Sequence, residues 1–297
     1  MIRSLSILIP THNHRCAKLV RTLQMQAENV DGLRYEIIVV DDASTDAGAV
    51  HANRVVREWS SCRLIELTEN IGRSRVRNFL ARQAHYTTLL FLDCDVRIVR
   101  KDFLLHYLSQ EEEEEVAYGG VTILPDEALS HNLRYRYERA CLAKFSVERR
   151  RAAPYQSFRT TNFRVQREVM LRVPFDEGIE SYGYEDVAWG RALQAVEIGI
   201  AHTDNPVAVD DFEENTSFLR KTTEAMHTLS LLRHEMEEYS QIVALASRLE
   251  RWHMVGMVRR FYSLVEPLIV RNLEGTTPKV AIFQLFRFGT FLKMARK

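Results

Sequence analysis

Glu36-Ile37-Ile38-Val39-Val40-Asp41-Asp42-Ala43-Ser44-Thr45-Asp46 decides how this chain is read. The run from Ile37 to Val40 has no polar break, which is too apolar for a strand with one wet face. It predicts a strand covered on both sides, as in a parallel sheet. The acidic, turn-forming residues behind it end the strand. Working outward, Ser4 to Ile9 predicts a strand, and Arg15 to Glu28 a helix with Leu19, Leu23 and Ala27 four apart. Cys62 to Leu67 reads as a third strand, Gly72 to Ala84 as a helix and Thr87 to Leu92 as a fourth strand. Strands alternating with helices imply βαβ units: an α/β fold with a mostly parallel central sheet flanked by helices. Ligands bind such sheets at the carboxyl ends of the strands, where the acidic and Asn/Gly-rich turns of this chain fall.

Composition narrows the class. The 297 residues are 46% hydrophobic, and 40 Lys+Arg balance 40 Asp+Glu. That length buries a real core, and zero net charge argues against a dedicated nucleic-acid binder. No apolar run reaches the ~18–20 residues of a membrane span. Met1-Ile2-Arg3-Ser4 runs straight into a strand, so no signal peptide is expected. Cys16, Cys62, Cys94 and Cys141 lack CxxC spacing, which favours a reducing cytoplasm over a zinc site or disulfide scaffold.

Further on, Val116 to Leu124 and Phe158 to Val165 predict strands, and Leu129 to Arg150 and Glu185 to Glu197 predict helices. Glu111 to Glu115 reads as a solvated helix end or loop. After Ser217 the pattern is helical: Phe218 to Glu250, Arg251 to Leu273, and a last helix with Thr277 as N-cap and Pro278 at its first position. The expected division is a catalytic domain over 1–215 and a C-terminal helical region over 216–297. Residues 276–297 mix basic residues with an aromatic face. A membrane interface, packing on the catalytic domain and a homodimer interface are all consistent with that pattern.

Leu92-Asp93-Cys94-Asp95 ends a strand that reads as buried. Its carboxylates at i and i+2 suit a hard divalent cation, Mg²⁺ or Mn²⁺, that shares its shell with a diphosphate. A turn or helix-cap role explains the same spacing. The second acidic turn, Asp41-Asp42, lies on the same predicted edge and strengthens the cation reading.

Ile9-Pro10-Thr11-His12-Asn13 resembles the opening motif of family 2 glycosyltransferases of the GT-A fold, the type found in bacterial polysaccharide synthesis. The stretch from Glu36 to Asp46 is similar to that family's second-strand signature. Asn70-Ile71-Gly72 with Arg77-Asn78 resembles its third segment, Phe91 to Asp95 its DxD motif, and Tyr184 to Trp189 its ED motif. The order of the five motifs makes the likeness specific.

The resemblance implies a Rossmann-like GT-A catalytic domain and an inverting transfer from a UDP-sugar to a hydroxyl of a saccharide or lipid-linked acceptor. It points to cell-surface polysaccharide biosynthesis in the cytoplasm or at the inner face of the membrane. Pro10, Thr11 and Asn13 would line the nucleotide pocket, with Asp41 on the uracil imide and Asp42 and Asn70 beside it. Asp93 would sit near the ribose, Asn162 near the donor sugar, and Arg73 and Arg77 on phosphate. Asp95, with Asp93, would hold the metal. Asp186 would be the general base, kept charged by its helix N-terminus, with Glu185 orienting it or the acceptor. The bland readings are an Asx-turn for Asp41-Asp42, a solvated helix face for the arginines and first-turn acids for Glu185-Asp186. Asn162 reads equally as a packing residue, and Trp189 as core rather than an acceptor platform. His12 and His14 sit two apart, yet the Pro-Thr-x-Asn loop explains them without a metal.

One departure stands out. Where many relatives carry a further metal-binding His, this chain has Val209 followed by Asp210 and Asp211, and His202 is the nearest histidine. Asp210 or Asp211 would replace the ligand, or Asp95 and the diphosphate would suffice. The competing readings are a sugar nucleotidyltransferase, which normally shows a Gly-rich basic loop after its first strand, and a non-catalytic nucleotide-binding relative.

Overall fold

The computed structural model describes residues 2–109 and 114–295. Strand β1 (Ser4–Thr11) leads through helix α1 (Ala17–Glu28) to β2 (Arg34–Asp41), α2 (Ala47–Asn53), β3 (Cys62–Glu66), α3 (Arg73–Gln83), β4 (Thr88–Leu92) and β5 (Val96–Ile98). Then come α4 (Phe103–Leu108), β6 (Val116–Tyr118), β7 (Val121–Thr122), α5 (Leu133–Cys141), α6 (Val147–Ala152) and β8 (Asn162–Gln166). They are followed by α7 (Arg167–Arg172), α8 (Glu185–Ala195), β9 (Ile200–His202) and β10 (Val207–Val209). Helices α9 (Asn215–Leu231), α10 (Gln241–Arg251), α11 (Val255–Glu274) and α12 (Val280–Met294) complete the chain.

Seven strands form one sheet in the order β3-β2-β1-β4-β8-β6-β9, and β5-β10-β7 form a second. Strands β3, β2, β1 and β4 run parallel, while β8 is antiparallel to both neighbours. Side chains alternate across a strand, so β2 feeds two cores. Ile37 and Val39 join Ile7, Ile9 and Leu23 of α1 on one face. Ile38 and Val40 join Leu8, Leu80 of α3, Phe91 and Trp189 on the other. Both faces are dry, which is why the stretch has no polar alternation. Removing one such side chain, as in Ile38→Ala, costs about 2–5 kcal/mol. Trp189 belongs to this core: it stacks on Phe175 at 4.9 Å and donates Nε1–H to the Val173 carbonyl at 2.8 Å. It is no acceptor platform.

Two expected elements break and a third starts late, each for a local reason, and the helical run over 218–250 divides into α9 and α10. The strand over 116–124 splits at Gly119-Gly120. Gly120 has φ +96°, and a Cβ at Gly119 would collide with the Tyr107 hydroxyl and the Asn205 carbonyl. Only glycine lets the chain leave one sheet for the other here. The helix over 129–150 becomes two, because Asn132 caps the Tyr135 N–H and Ser146 restarts a helix at Val147. The last helix begins at Val280 with Lys279 at its N-cap, not at Thr277-Pro278. Of the acidic run over 111–115, residues 111–113 lie outside the described residues. Glu114 and Glu115 pair with Arg164 and Arg172.

The chain divides into two compact units, Met1–Thr122 with Phe145–Glu180 and Glu185–Asp211, and Ile123–Lys144 with Ser181–Tyr184 and Phe212–Lys297. A cut at residue 215 misses α5, whose Leu133 joins Leu219, Tyr262, Ile269, Leu273, Phe283 and Phe286 in the core of the second unit. On α12, Phe283 and Phe286 pack into this core, whereas Leu285 is 59% exposed. A Cβ at Gly289 would overlap the Tyr262 ring, so α11 and α12 approach closely. Arg287 donates to the Tyr137 hydroxyl at 3.0 Å, and Lys293 pairs with Glu266 at 2.7 Å. Among the described residues no helix is long and apolar enough to cross a membrane.

Candidate functional site

The parallel register brings the ends of β1, β2 and β4 to one edge of the first unit. Thr11 pairs with Asp41, and Leu8 with Phe91, so Thr11 and Cys94 fall level if that register continues. The loops at this edge are tied to each other. Asn13 takes φ +54°. Its Oδ1 accepts from the Thr45 and Asp46 N–H groups at 2.7 and 2.8 Å, and its own N–H donates to Ser44 Oγ at 2.7 Å. Ala43, another non-glycine in the left-handed region at φ +54°, lies in the facing loop. Such strain collects where a backbone is held for a purpose. Pro10 is half-buried, and the Thr11 hydroxyl donates to the His14 carbonyl at 3.0 Å.

The adjacent acids of β2 have different fates. Asp41 accepts the Ser44 N–H at Oδ1 (2.8 Å), and its Oδ2 meets no donor among the described residues. Asp42 spends both oxygens, on the Ile71 N–H at 2.7 Å and the Gly72 N–H at 3.1 Å. Asn70 Nδ2 donates to the Asp42 carbonyl at 3.1 Å, and so does His12 Nδ1 at 2.8 Å. Asp42 and Asn70, expected beside the nucleotide, therefore also clamp loop to loop. Gly72, at φ +86°, turns the chain into α3.

Beyond β4, Asp93 accepts Arg77 Nη2 at 2.6 Å. That guanidinium is 2% exposed, lies 5.9 Å over the Phe175 ring and also donates to the Arg73 carbonyl at 3.2 Å. Arg77, expected on phosphate, pairs with Asp93 in this structure. Asp95 instead lines a cleft of about 410 Å³ with Asp210 and Asp211. The Asp210 N–H donates to the Asp95 carbonyl at 3.0 Å, because β10 pairs with β5. Arg15, Lys18 and Arg97 line the same cleft, and Arg97 Nε lies 3.2 Å from Asp210 Oδ1. These cations escaped the sequence reading. Their only signal is position: Arg15 and Lys18 frame the start of α1, and Arg97 follows Asp95 by two residues.

Helix α8 opens on Glu185 and Asp186. Glu185 is buried and faces Arg73 Nη1 at 3.5 Å. Burial, then repulsion from Glu185, push Asp186 up from 3.8 to about 6. The expected effect of the helix N-terminus is outweighed, and the field of Arg77 and Arg159 only partly offsets the rise. Arg159, 4.2 Å over the Phe145 ring, is a further residue that no motif announced.

Asn162 and His202 are both enclosed by the first unit. Asn162 is 0% exposed; its Oδ1 accepts the Tyr107 hydroxyl and its Nδ2 donates to the Gly120 and Asn205 carbonyls. It knots four segments together, which fits its packing reading. His202 donates Nε2–H to the Pro154 carbonyl at 2.9 Å and faces Arg150 Nη1 at 3.2 Å through Nδ1. Burial pushes it down to about 4, so it is a structural histidine. Among the described residues no three His, Cys, Asp or Glu groups converge on one point as a metal cage. Asp95 and Asp210 on one cleft fit a hard cation that draws its other oxygens from a diphosphate.

The sequence profile described as glycosyl transferase family 2 matches residues 6–176, more than half of the chain. No curated protein sequence matches. Among solved structures, a mannosyltransferase from Pyrobaculum calidifontis in complex with GDP-Man and Mn²⁺ is 15% identical with a TM-score of 0.58, covering 98% of this chain and 85% of that one. TarS residues 1–349 from S. aureus is 16% identical with a TM-score of 0.52, covering 98% and 90%. Its complex with UDP-GlcNAc gives a TM-score of 0.51 at 16% identity, with the same coverage of both chains. At these identities the likeness speaks for the fold.

Proposed function

The chain belongs to glycosyl transferase family 2, and from that premise we propose that it moves a sugar from a UDP-sugar to a hydroxyl of a saccharide or lipid-linked acceptor, with inversion. The synthesis of cell-surface polysaccharide is the setting that suits such an acceptor. The observation that carries the reading is the separation of labour at one edge. Arg77 holds Asp93 and Asp42 holds the loops, while Asp41 has one oxygen with no donor among the described residues, Asp95 lines the cleft and Asp186 is raised to about 6.

In this reading Asp41 Oδ2 accepts from the uracil imide, with Pro10 and Thr11 beside it and Asn13 holding the loop. Arg15, Lys18 and Arg97 offset diphosphate charge across the cleft. Asp95, with Asp210, would hold Mg²⁺ or Mn²⁺, which as a Lewis acid stabilises the leaving diphosphate. Asp186 takes the proton of the acceptor hydroxyl as that oxygen attacks. A carboxylate lifted to about 6 is mostly ionised at neutral pH, yet more basic than an ordinary Asp. Glu185, held by Arg73, keeps the base in place. One base opposite the leaving group is a single displacement, so NMR of early product should show inversion.

Calorimetry tests the site. Mn²⁺-dependent binding of UDP should be strong in the native chain and lost in Asp95→Ala. A preference for GDP would reassign the donor. Tight UDP binding with no turnover across donors and acceptors would make the chain a non-catalytic relative.

A further inference from the structure

The helical unit carries an apolar stripe that its own core does not use. Along α11, Met257, Phe261, Leu264 and Leu268 recur at steps of four, three and four, which puts them on one face. They are 60%, 65%, 79% and 68% exposed, whereas Tyr262, Ile269 and Leu273 on the other side are buried. Leu245 of α10 and Trp252 just beyond it are exposed as well. Isolated exposed apolar residues are ordinary, but a continuous row of large ones marks a contact surface.

The charges around the stripe select the occupant. Arg248, Arg251, Arg260 and Arg271 are all exposed on these two helices. Of the acids on α10 and α11, Glu250 is bound by Arg233 at 2.6 Å and Glu266 by Lys293 at 2.7 Å, which leaves Glu274 at the end of α11. A groove beside the stripe is lined by Arg259, Arg260 and Leu264, with the ion-paired Glu250 and Lys293 on its walls. A second copy docking about a two-fold axis would set this arginine-rich face against itself. A surface of anionic headgroups over acyl chains matches both halves, arginines to phosphate and Phe, Leu and Trp to the interface.

We propose that the α10–α11 face docks on an anionic phospholipid surface. The stripe, not the aromatic face of α12, carries the contact, and the proposal stands independently of the donor and acceptor of the transfer reaction.

Co-sedimentation of the full chain with vesicles of phosphatidylcholine, with and without phosphatidylglycerol, tests it. The chain should pellet with the anionic vesicles and be released by about 0.5 M salt, where screening is short-ranged. The variant Phe261→Ser/Leu264→Ser/Leu268→Ser should lose at least tenfold in partitioning, and so should Arg248→Gln/Arg251→Gln/Arg260→Gln/Arg271→Gln. Both should melt as the native chain does, since the replaced side chains are exposed. Leu285→Ser on α12 should change nothing. Failure to bind either vesicle, or equal partitioning by the stripe variants, overturns the proposal. A dimer in light scattering that the stripe variant dissolves, without vesicle binding, would assign the face to a second copy.

Discussion

The loops after β2 and β4 each present two acidic residues, and each spends one on the scaffold. After β2 the scaffold residue is the second: Asp42 is held by the N–H groups of Ile71 and Gly72, and Asp41 Oδ2 has no donor among the described residues. After β4 it is the first: Asp93 is held by Arg77, and Asp95 faces the cleft. The holders differ in kind. Backbone amides fix Asp42 without cancelling its charge, whereas a buried guanidinium neutralises Asp93. Adjacent carboxylates in a sequence therefore need not share surroundings, because the partner of each comes from a different part of the chain.

The largest effect that sharpens this contrast lies at the third acidic pair. Asp186→Asn should lower kcat by about 10²–10⁴-fold, the usual worth of a general base. In the native chain kcat/KM should fall as pH drops through about 6, because the base is lost to protonation. A flat profile down to pH 4 would break the assignment. Stability should move the other way. A carboxylate whose folded pKa is raised opposes folding above that value, so the variant should be more stable than the native chain at pH 7, by about 1–3 kcal/mol. That gain should vanish as pH falls from about 6 toward 3.8.

Next comes Arg77→Met, which strands Asp93 beside a buried apolar surface. A loss of about 3–5 kcal/mol in denaturant unfolding is expected, with Asp93→Asn milder because the amide oxygen still accepts. Equal losses would mean that the pair does not act as an ion pair. Asp42→Ala leaves two loop N–H groups without acceptors and should cost about 1–3 kcal/mol of stability. The smallest effect belongs to its neighbour. Asp41→Asn should weaken UDP about tenfold while leaving unfolding nearly unchanged. If Asp41→Asn unfolds the chain and Asp42→Ala only weakens UDP, the two roles are exchanged.

Much of the sheet was legible. The dry run Ile37–Val40, the helix behind Leu19 and Leu23, and the strand ending at Leu92 all lie within a residue or two of where their patterns put them. Three-residue strands such as β9 and β10 were not, because they are too short to show a period and exist through their pairings. At the site, motif order located the edge but not the commitments along it. Arg77 and Arg73 look alike in sequence, yet one is sealed under Phe175 against Asp93 and the other meets Glu185. Arg97 and Asp210 meet only because β5 and β10 are neighbours.

Sequence alone settled the fold class, the family likeness and the strand ends that carry the carboxylates, because side-chain periodicity and turn chemistry act between near neighbours. Which partners those carboxylates meet was decided by tertiary structure. So were the raised pKa of Asp186, the burial of Asn162 and the exposure of the α11 stripe. Hydrogen-bond partners, desolvation and apolar cover come from residues distant in the chain, and no local pattern records which of them arrive.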